Sequence, residues 1–192
     1  GKPKRSTPLL SSTMEYIVLN PTWTVPPGIR NKDVIPGIKK DINYLKKKNL
    51  NVIDHSGNIV NPATIDWNTS DAYNYIFRQP SGADNALGSV KFLFPNNLFI
   101  YIHDTPSKYL FNKTQRAYSS GCIRVENPLD LAEYLLDDTL NWNKTKIKIS
   151  LDQNTKFFWI LKLKLEFWFW NKMVLFLAPP FAIKANSHRS EE

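Results

Sequence analysis

Short runs of β-branched and aromatic residues, each stopped by proline or asparagine, place the strongest constraint on how this chain folds. Met14-Glu15-Tyr16-Ile17-Val18-Leu19 stops at Asn20-Pro21, and Ser89-Val90-Lys91-Phe92-Leu93-Phe94 stops at Pro95-Asn96-Asn97. Leu98-Phe99-Ile100-Tyr101-Ile102 follows at once and runs into His103. Runs of this kind are strands closed by turns, and the last two form a hairpin that ends on a rigidly placed histidine. Lys146, Ile147, Lys148 and Ile149 alternate within 144–151, which predicts a further half-buried strand.

Helical signals are fewer. Residues 31–49 carry Ile38, Ile42 and Leu45 at spacings of four and three, with Pro36 suited to a first turn, so a short amphipathic helix is expected. Asn127-Pro128 followed by leucines on one face predicts a capped helix to Leu136. Residues 70–76 read as a short helix or an extended piece. Val25-Pro26-Pro27-Gly28 breaks the chain, and residues 26–86 read as an insertion or cap.

With 192 residues, of which 42% are hydrophobic, the chain suits one domain with room for a small subdomain; two full catalytic domains and wholesale disorder are excluded. The net charge of +8 attracts polyanions without choosing among them. Scattered basic residues, with no RNP, helix-turn-helix or zinc spacing, make nucleic-acid binding a poor option. The Lys46-Lys47-Lys48 run reads as a solvated helix end. No secretory signal follows the basic start; for an exported protein the signal is expected upstream of Gly1. Residues 157–181 are rich in tryptophan, phenylalanine and leucine, including Trp159, Trp168 and Trp170. Within them Leu161 to Phe167 alternates like an exposed-edge strand, and the charges of Lys162, Lys164 and Glu166 argue against a membrane span. The segment is therefore expected to be a buried strand or an aggregation liability.

Chemistry concentrates between His103 and Val125. Cys122 is the single cysteine, which excludes an intrachain disulfide and a cysteine-based zinc site. A lone cysteine is either inert core or a nucleophile. The polar turn Ser119-Ser120-Gly121 before it favours the nucleophile, because its backbone N–H groups can converge on an acyl oxyanion. A nearby imidazole such as His103 supplies a base, and Arg124 can lower the thiol pKa or hold a carboxylate. Tyr101 shares a strand face with His103 and either lines the groove or packs in the core. His55 and His188 lack the spacing for a metal site with His103, and Asp54 and Asp104 lack a paired-carboxylate context. Trp23, Trp67 and Trp142 can stack on sugars or peptides, but core packing is the better reading for each.

The segment Ser119-Ser120-Gly121-Cys122-Ile123-Arg124, preceded by His103-Asp104-Thr105-Pro106, resembles the L,D-transpeptidases of the YkuD type. Serine at position 120, where many members carry histidine, is similar to the YcbB-like branch. Thr7-Pro8-Leu9-Leu10-Ser11-Ser12, Asn20 to Pro27 and Asn85 to Phe92 also resemble that branch, so the likeness spans about residues 6–152.

The resemblance implies a mainly β (α+β) fold, a β-sandwich or mixed sheet with short helices and a small helical capping subdomain. Residues 1–25 and 87–156 would form the catalytic domain, 26–86 the cap and 157–192 an atypical C-terminal segment. The family's later strands are not recognised there and the start looks short, so a chain truncated at the front and diverged at the back is expected. The resemblance further implies Cys122 as nucleophile and His103 as base, with amides of Gly121 and Cys122 in an oxyanion hole that Ser120 assists. Arg124 would be an electrostatic partner, and Tyr101, Asp104 and Ser119 would touch substrate. The implied substrate is a peptidoglycan stem peptide, the implied product a 3→3 cross-link, the implied inhibitors carbapenem β-lactams and the implied location the periplasm. No cofactor or metal is called for. The alternatives are a carboxypeptidase or wall-protein-detaching hydrolase of the same chemistry, and a non-catalytic wall-binding module.

Overall fold

The computed structural model describes residues 1–137, 141–153, 156–170, 173–178 and 181–184, with side chains described as far as Leu161. Two hydrophobic cores organise these residues, each under its own sheet.

The larger sheet is built on β1 (Leu10–Leu19), the long β-branched run read from the sequence. One edge of β1 pairs antiparallel with β5 (Val90–Leu93), matching Tyr16 with Leu93 and Leu19 with Val90. β5 pairs antiparallel with β6 (Ile102–His103), and β6 pairs parallel with β7 (Ile123–Arg124). On the other side of β1 lies β8 (Phe157–Trp170), followed by β9 (Met173–Ala178) and β10 (Phe181–Lys184), giving the order β10-β9-β8-β1-β5-β6-β7. Met14, Ile17, Leu19, Phe92 and Ile102 are fully enclosed and pack with Leu135 and Ile147 of two helices, α4 (Pro128–Leu136) and α5 (Lys144–Asp152). Burying side chains of this size contributes about 1.5–3 kcal/mol each, so this core dominates the stability of the sheet.

The second core gathers Val25, Val34, Ile35, Ile38, Leu45, Leu50, Val52, Trp67 and Phe77. Besides short helices it carries a three-stranded antiparallel sheet in which β4 (Ile76–Gln79) lies between β2 (Trp23–Thr24) and β3 (Asn51–Ile53). Asn85 ties the two parts together, its buried amide donating to the carbonyls of Pro21 and Pro80 at 3.0 and 2.7 Å.

Several sequence expectations need correction. Residues 144–152 form α5, not a strand. Asn143 caps it through its side chain, which accepts from the Lys146 N–H at 3.0 Å, and Ile147 is buried while Ile149 is half exposed, the helical rather than the alternating pattern. β8 pairs with β1, and from Glu166 onward it also pairs with β9, so only the end of the stretch read as an exposed edge lies between two strands. After a single turn, α1 (Pro27–Ile29), the helix expected over 31–49 is broken into a π turn at Arg30–Val34, α2 (Ile35–Lys40) and α3 (Tyr44–Lys47). Extended backbone at Asp41 makes the break, and the Tyr44 ring packs so closely on Gly37 that a Cβ there would sit 2.6 Å from it. Ile42 is accordingly exposed. Residues 70–74 form one 3₁₀ turn. The Asn127 side chain makes no cap bond. Finally, the strand expected over 98–102 shrinks to β6. The Asn96 side chain gathers the preceding loop by accepting from the Leu98 and Ile100 N–H groups, and Phe99 adopts a positive φ of 55°. His188 and residues 185–192 lie outside the described residues.

Candidate active site

The pairing of three short strand ends sets the site. Lys91 of β5 is opposite His103 of β6, and His103 is in register with Arg124 of β7. Directly paired residues share a sheet face, so a lysine, a histidine and an arginine stand in one row. The core-facing row beside it is Phe92, Ile102 and Ile123. Parallel pairing is fixed by the Ile123 N–H donating to the Tyr101 carbonyl at 3.0 Å and the Val125 N–H to the His103 carbonyl at 2.9 Å. Cys122, immediately before β7, is thereby delivered beside Tyr101.

His103 is buried, and its Nδ1 meets the backbone carbonyl of Asp104. A carbonyl only accepts, so Nδ1 carries the proton and Nε2 presents a lone pair. Burial pushes its pKa down to about 4, and the nearby charges of Arg124 and Lys91 push the same way. The imidazole is neutral at physiological pH. The Tyr101 ring meets it edge-on, with centroids 5.9 Å apart.

Cys122 is partly buried, with Sγ 3.7 Å from the Phe99 carbonyl. Desolvation raises its pKa, opposed by bonds from the backbone and side chain of Tyr101 and by the charges of Lys91 and Arg124. The resting thiol is thus protonated, and two cations stand where a thiolate would form. Arg124 is itself partly desolvated, and its buried Nε has no hydrogen-bond partner among the described residues.

The turn before the cysteine is held by polar contacts. Gly121 has φ of 120°, a conformation that glycine adopts freely. Its N–H donates to Ser119 Oγ at 3.3 Å, and the Ser120 hydroxyl accepts from Arg5 at 3.2 Å. Asp104 is buried, and its carboxylate is engaged inside the fold: one oxygen accepts from the backbone N–H and hydroxyl of Ser89 at 2.9 and 2.8 Å, and the other faces the Lys108 ammonium at 2.6 Å. Gly88 makes room for it. A Cβ there would lie 2.4 Å from the carboxylate, and its φ of 61° independently favours glycine.

Thr105, Pro106, Ser107 and Arg124 line a groove of about 950 Å³ together with Trp23, Lys32, Asp33, Lys40 and Leu50. The Lys46-Lys47-Lys48 run, read as solvated, also lines it.

The structure therefore brings Cys122, His103, Tyr101 and Arg124 together, places Ser119, Ser120 and Gly121 in the adjoining turn, and turns the Asp104 carboxylate inward. Sequence reasoning missed Lys91, and for Trp23, which does pack against the second core, it favoured core over a place at the site. Lys91 Nζ lies 3.8 Å from the centroid of the Tyr101 ring, and the Trp23 side chain hydrogen-bonds the Tyr101 side chain. Lys91 was findable, because a charge between buried Val90 and Phe92 must face away from the core and the hairpin aligns it with His103. Trp67 and Trp142 are packed as expected, Trp142 edge-on to Trp159 at 4.2 Å. No group of three or more histidine, cysteine or acidic side chains comes together among the described residues. No helix among them is long and apolar enough to cross a membrane.

This arrangement of a cysteine turn beside a histidine-bearing strand agrees with comparison to known proteins. Residues 1–149 match the YkuD family, the L,D-transpeptidase catalytic domain, and the chain belongs to that family. It is also 43% identical over 147 residues to a Haemophilus influenzae protein described as "Putative L,D-transpeptidase", a match that covers 76% of this chain and 30% of that protein's length.

Proposed function

We propose that this domain is a cysteine-dependent acyltransferase of the cell wall that joins peptidoglycan stems by 3→3 cross-links. The observation that carries the reading is the parallel register of β6 and β7, which sets the chain's single cysteine, on a polar turn, opposite Tyr101 and so two positions along the strand from a histidine whose Nδ1 is anchored on a main-chain carbonyl. A raised thiol pKa and a lowered imidazole pKa make the resting pair neutral, so the thiol is activated during attack rather than beforehand.

In the proposed reaction, Cys122 Sγ attacks the carbonyl between the third stem residue and the terminal D-alanine as its proton passes to His103 Nε2. Lys91 and Arg124 stabilise the negative charge that gathers near sulfur. Collapse of the adduct breaks the C–N bond, and the imidazolium returns its proton to the departing D-alanine amine. The side-chain amine of a second stem then attacks the thioester and gives its proton to His103; the emerging thiolate recovers a proton from the imidazolium, restoring the thiol. The Cys122 N–H would face the acyl oxygen, the Gly121 N–H being engaged by Ser119 Oγ at 3.3 Å. Residues 26–86 would cap the groove, and the substrate places the reaction in the periplasm.

Intact mass after incubation with a carbapenem tests the first half-reaction. A drug-sized gain in the wild type that is lost in Cys122→Ser is expected; no gain from a chain that melts cooperatively would favour a non-catalytic wall-binding module. Product analysis with and without an amine acceptor tests the second half, since release of free acid in both cases would identify a hydrolase.

A further inference from the structure

We propose that Arg5 is a positioning residue that locks the nucleophile turn to the second core through Asp33. The turn has little regular structure of its own, yet three successive residues in it are held by the segment that precedes β1. The Lys2 N–H donates to the Ser119 carbonyl at 2.8 Å, Arg5 Nη1 to Ser120 Oγ at 3.2 Å, and the Thr7 hydroxyl to the Gly121 carbonyl at 2.8 Å.

Arg5 does more than anchor the turn, because the same guanidinium grips both oxygens of Asp33, one of them from Nη2 at 2.8 Å. Asp33 belongs to the Arg30–Val34 turn of the second core, next to buried Val34, and lines the groove. The side chains are only 18% and 33% exposed, so the pair is sheltered compared with an ordinary surface ion pair. The hydrogen bond from Arg5 lowers the Asp33 pKa, which keeps the carboxylate charged across the physiological range. One planar fork with several donors can serve a carboxylate and a hydroxyl together; a lysine ammonium lacks that geometry. Movement of the groove wall at Asp33 is thereby transmitted through Arg5 to Ser120, two residues from the sulfur.

The inference rests on the reading of Cys122 as a nucleophile, and its test separates the two. Iodoacetamide alkylation of Cys122, the single cysteine, reports on the turn whatever the enzyme does, and carbapenem acylation reports on catalysis. Arg5→Ala and Asp33→Asn are expected to speed alkylation at least threefold and to slow the first-order acylation step by roughly tenfold with little change in its half-saturating concentration. Arg5→Lys should fall between. Lys144→Ala, which removes the exposed ion pair to Asp130 between α4 and α5, should leave both unchanged. Unaltered rates in Arg5→Ala and Asp33→Asn, in chains that melt like the wild type, would overturn the lock. If the wild type is alkylated but never acylated, the catalytic reading fails, and the alkylation rates of the variants still decide the lock.

Discussion

The middle of the larger sheet and one of its edges differ in a way that separates support from chemistry. In the middle β1 and β8 span ten and fourteen residues and pair along almost their whole length, from Leu10 with Phe169 to Leu19 with Phe157. At the edge, β6 and β7 are two residues each, and they carry His103, Arg124 and, one position before β7, Cys122. Long strands supply cooperative burial, whereas the short ones leave most of the adjoining backbone to be shaped by side-chain contacts from Asn96, Ser89 and Arg5. The reactive groups thus sit where the sheet contributes least regularity and local polar bonds contribute most.

Five substitutions or conditions can break or sharpen this contrast. Cys122→Ser is expected to reduce carbapenem acylation by roughly a thousandfold or more while the thermal melt stays close to the wild type. Phe92→Ala, in the fully buried row, should do the reverse. It should cost about 3–5 kcal/mol in a denaturant titration, with acylation by the remaining folded protein little changed.

The third test is pH. The folded pKa of His103, about 4, lies below its ordinary 6.5, so the unfolded chain binds the proton first as pH falls. This residue's contribution is complete above pH 6.5 and is lost progressively down to about 4, a loss of roughly 3 kcal/mol in denaturant titrations that His103→Gln should abolish. Over the same window the acylation rate of folded wild type should show no inflection near 6.5. An inflection there would mean that the imidazole is solvated and the burial argument fails.

Gly88→Ala should be milder, costing about 1–3 kcal/mol through its positive φ and its contact with Asp104, with slower acylation because the residue after His103 is displaced. Lys91→Met is the subtlest. Losing one of the two cations beside the sulfur should raise the thiol pKa further, seen as a shift of the alkylation rate profile to higher pH, and slow acylation by roughly fivefold.

Much of the site was legible in the sequence because its residues cluster in two short stretches with distinctive chemistry. The apolar run ahead of His103 and the glycine before Cys122 each have one local reason to be there. The surroundings were less legible, because they depend on contacts distant in sequence. Nothing near Arg5 points to Asp33 or Ser120, and Asp104 looks available to substrate until Ser89 and Lys108 are brought to it. The same limit explains the misread strand at 144–152. Its alternation of lysine and isoleucine fits a strand locally, and what overrides it is the Asn143 cap together with β8 occupying the place beside β1. Residues 31–49 show the converse, a helical period correctly seen but cut by Asp41 and by the packing of Tyr44 on Gly37.

The partner of His103 Nδ1 is a peptide carbonyl rather than an acidic side chain. A main-chain acceptor cannot be deleted by a codon change and carries no charge of its own to titrate. Drift at position 104 would therefore alter how firmly the strand end is anchored without erasing the tautomer of the imidazole. This anchor of the imidazole tolerates mutation by construction, and its fragility lies in the geometry of the loop, where a backbone shift matters more than the identity of any one residue.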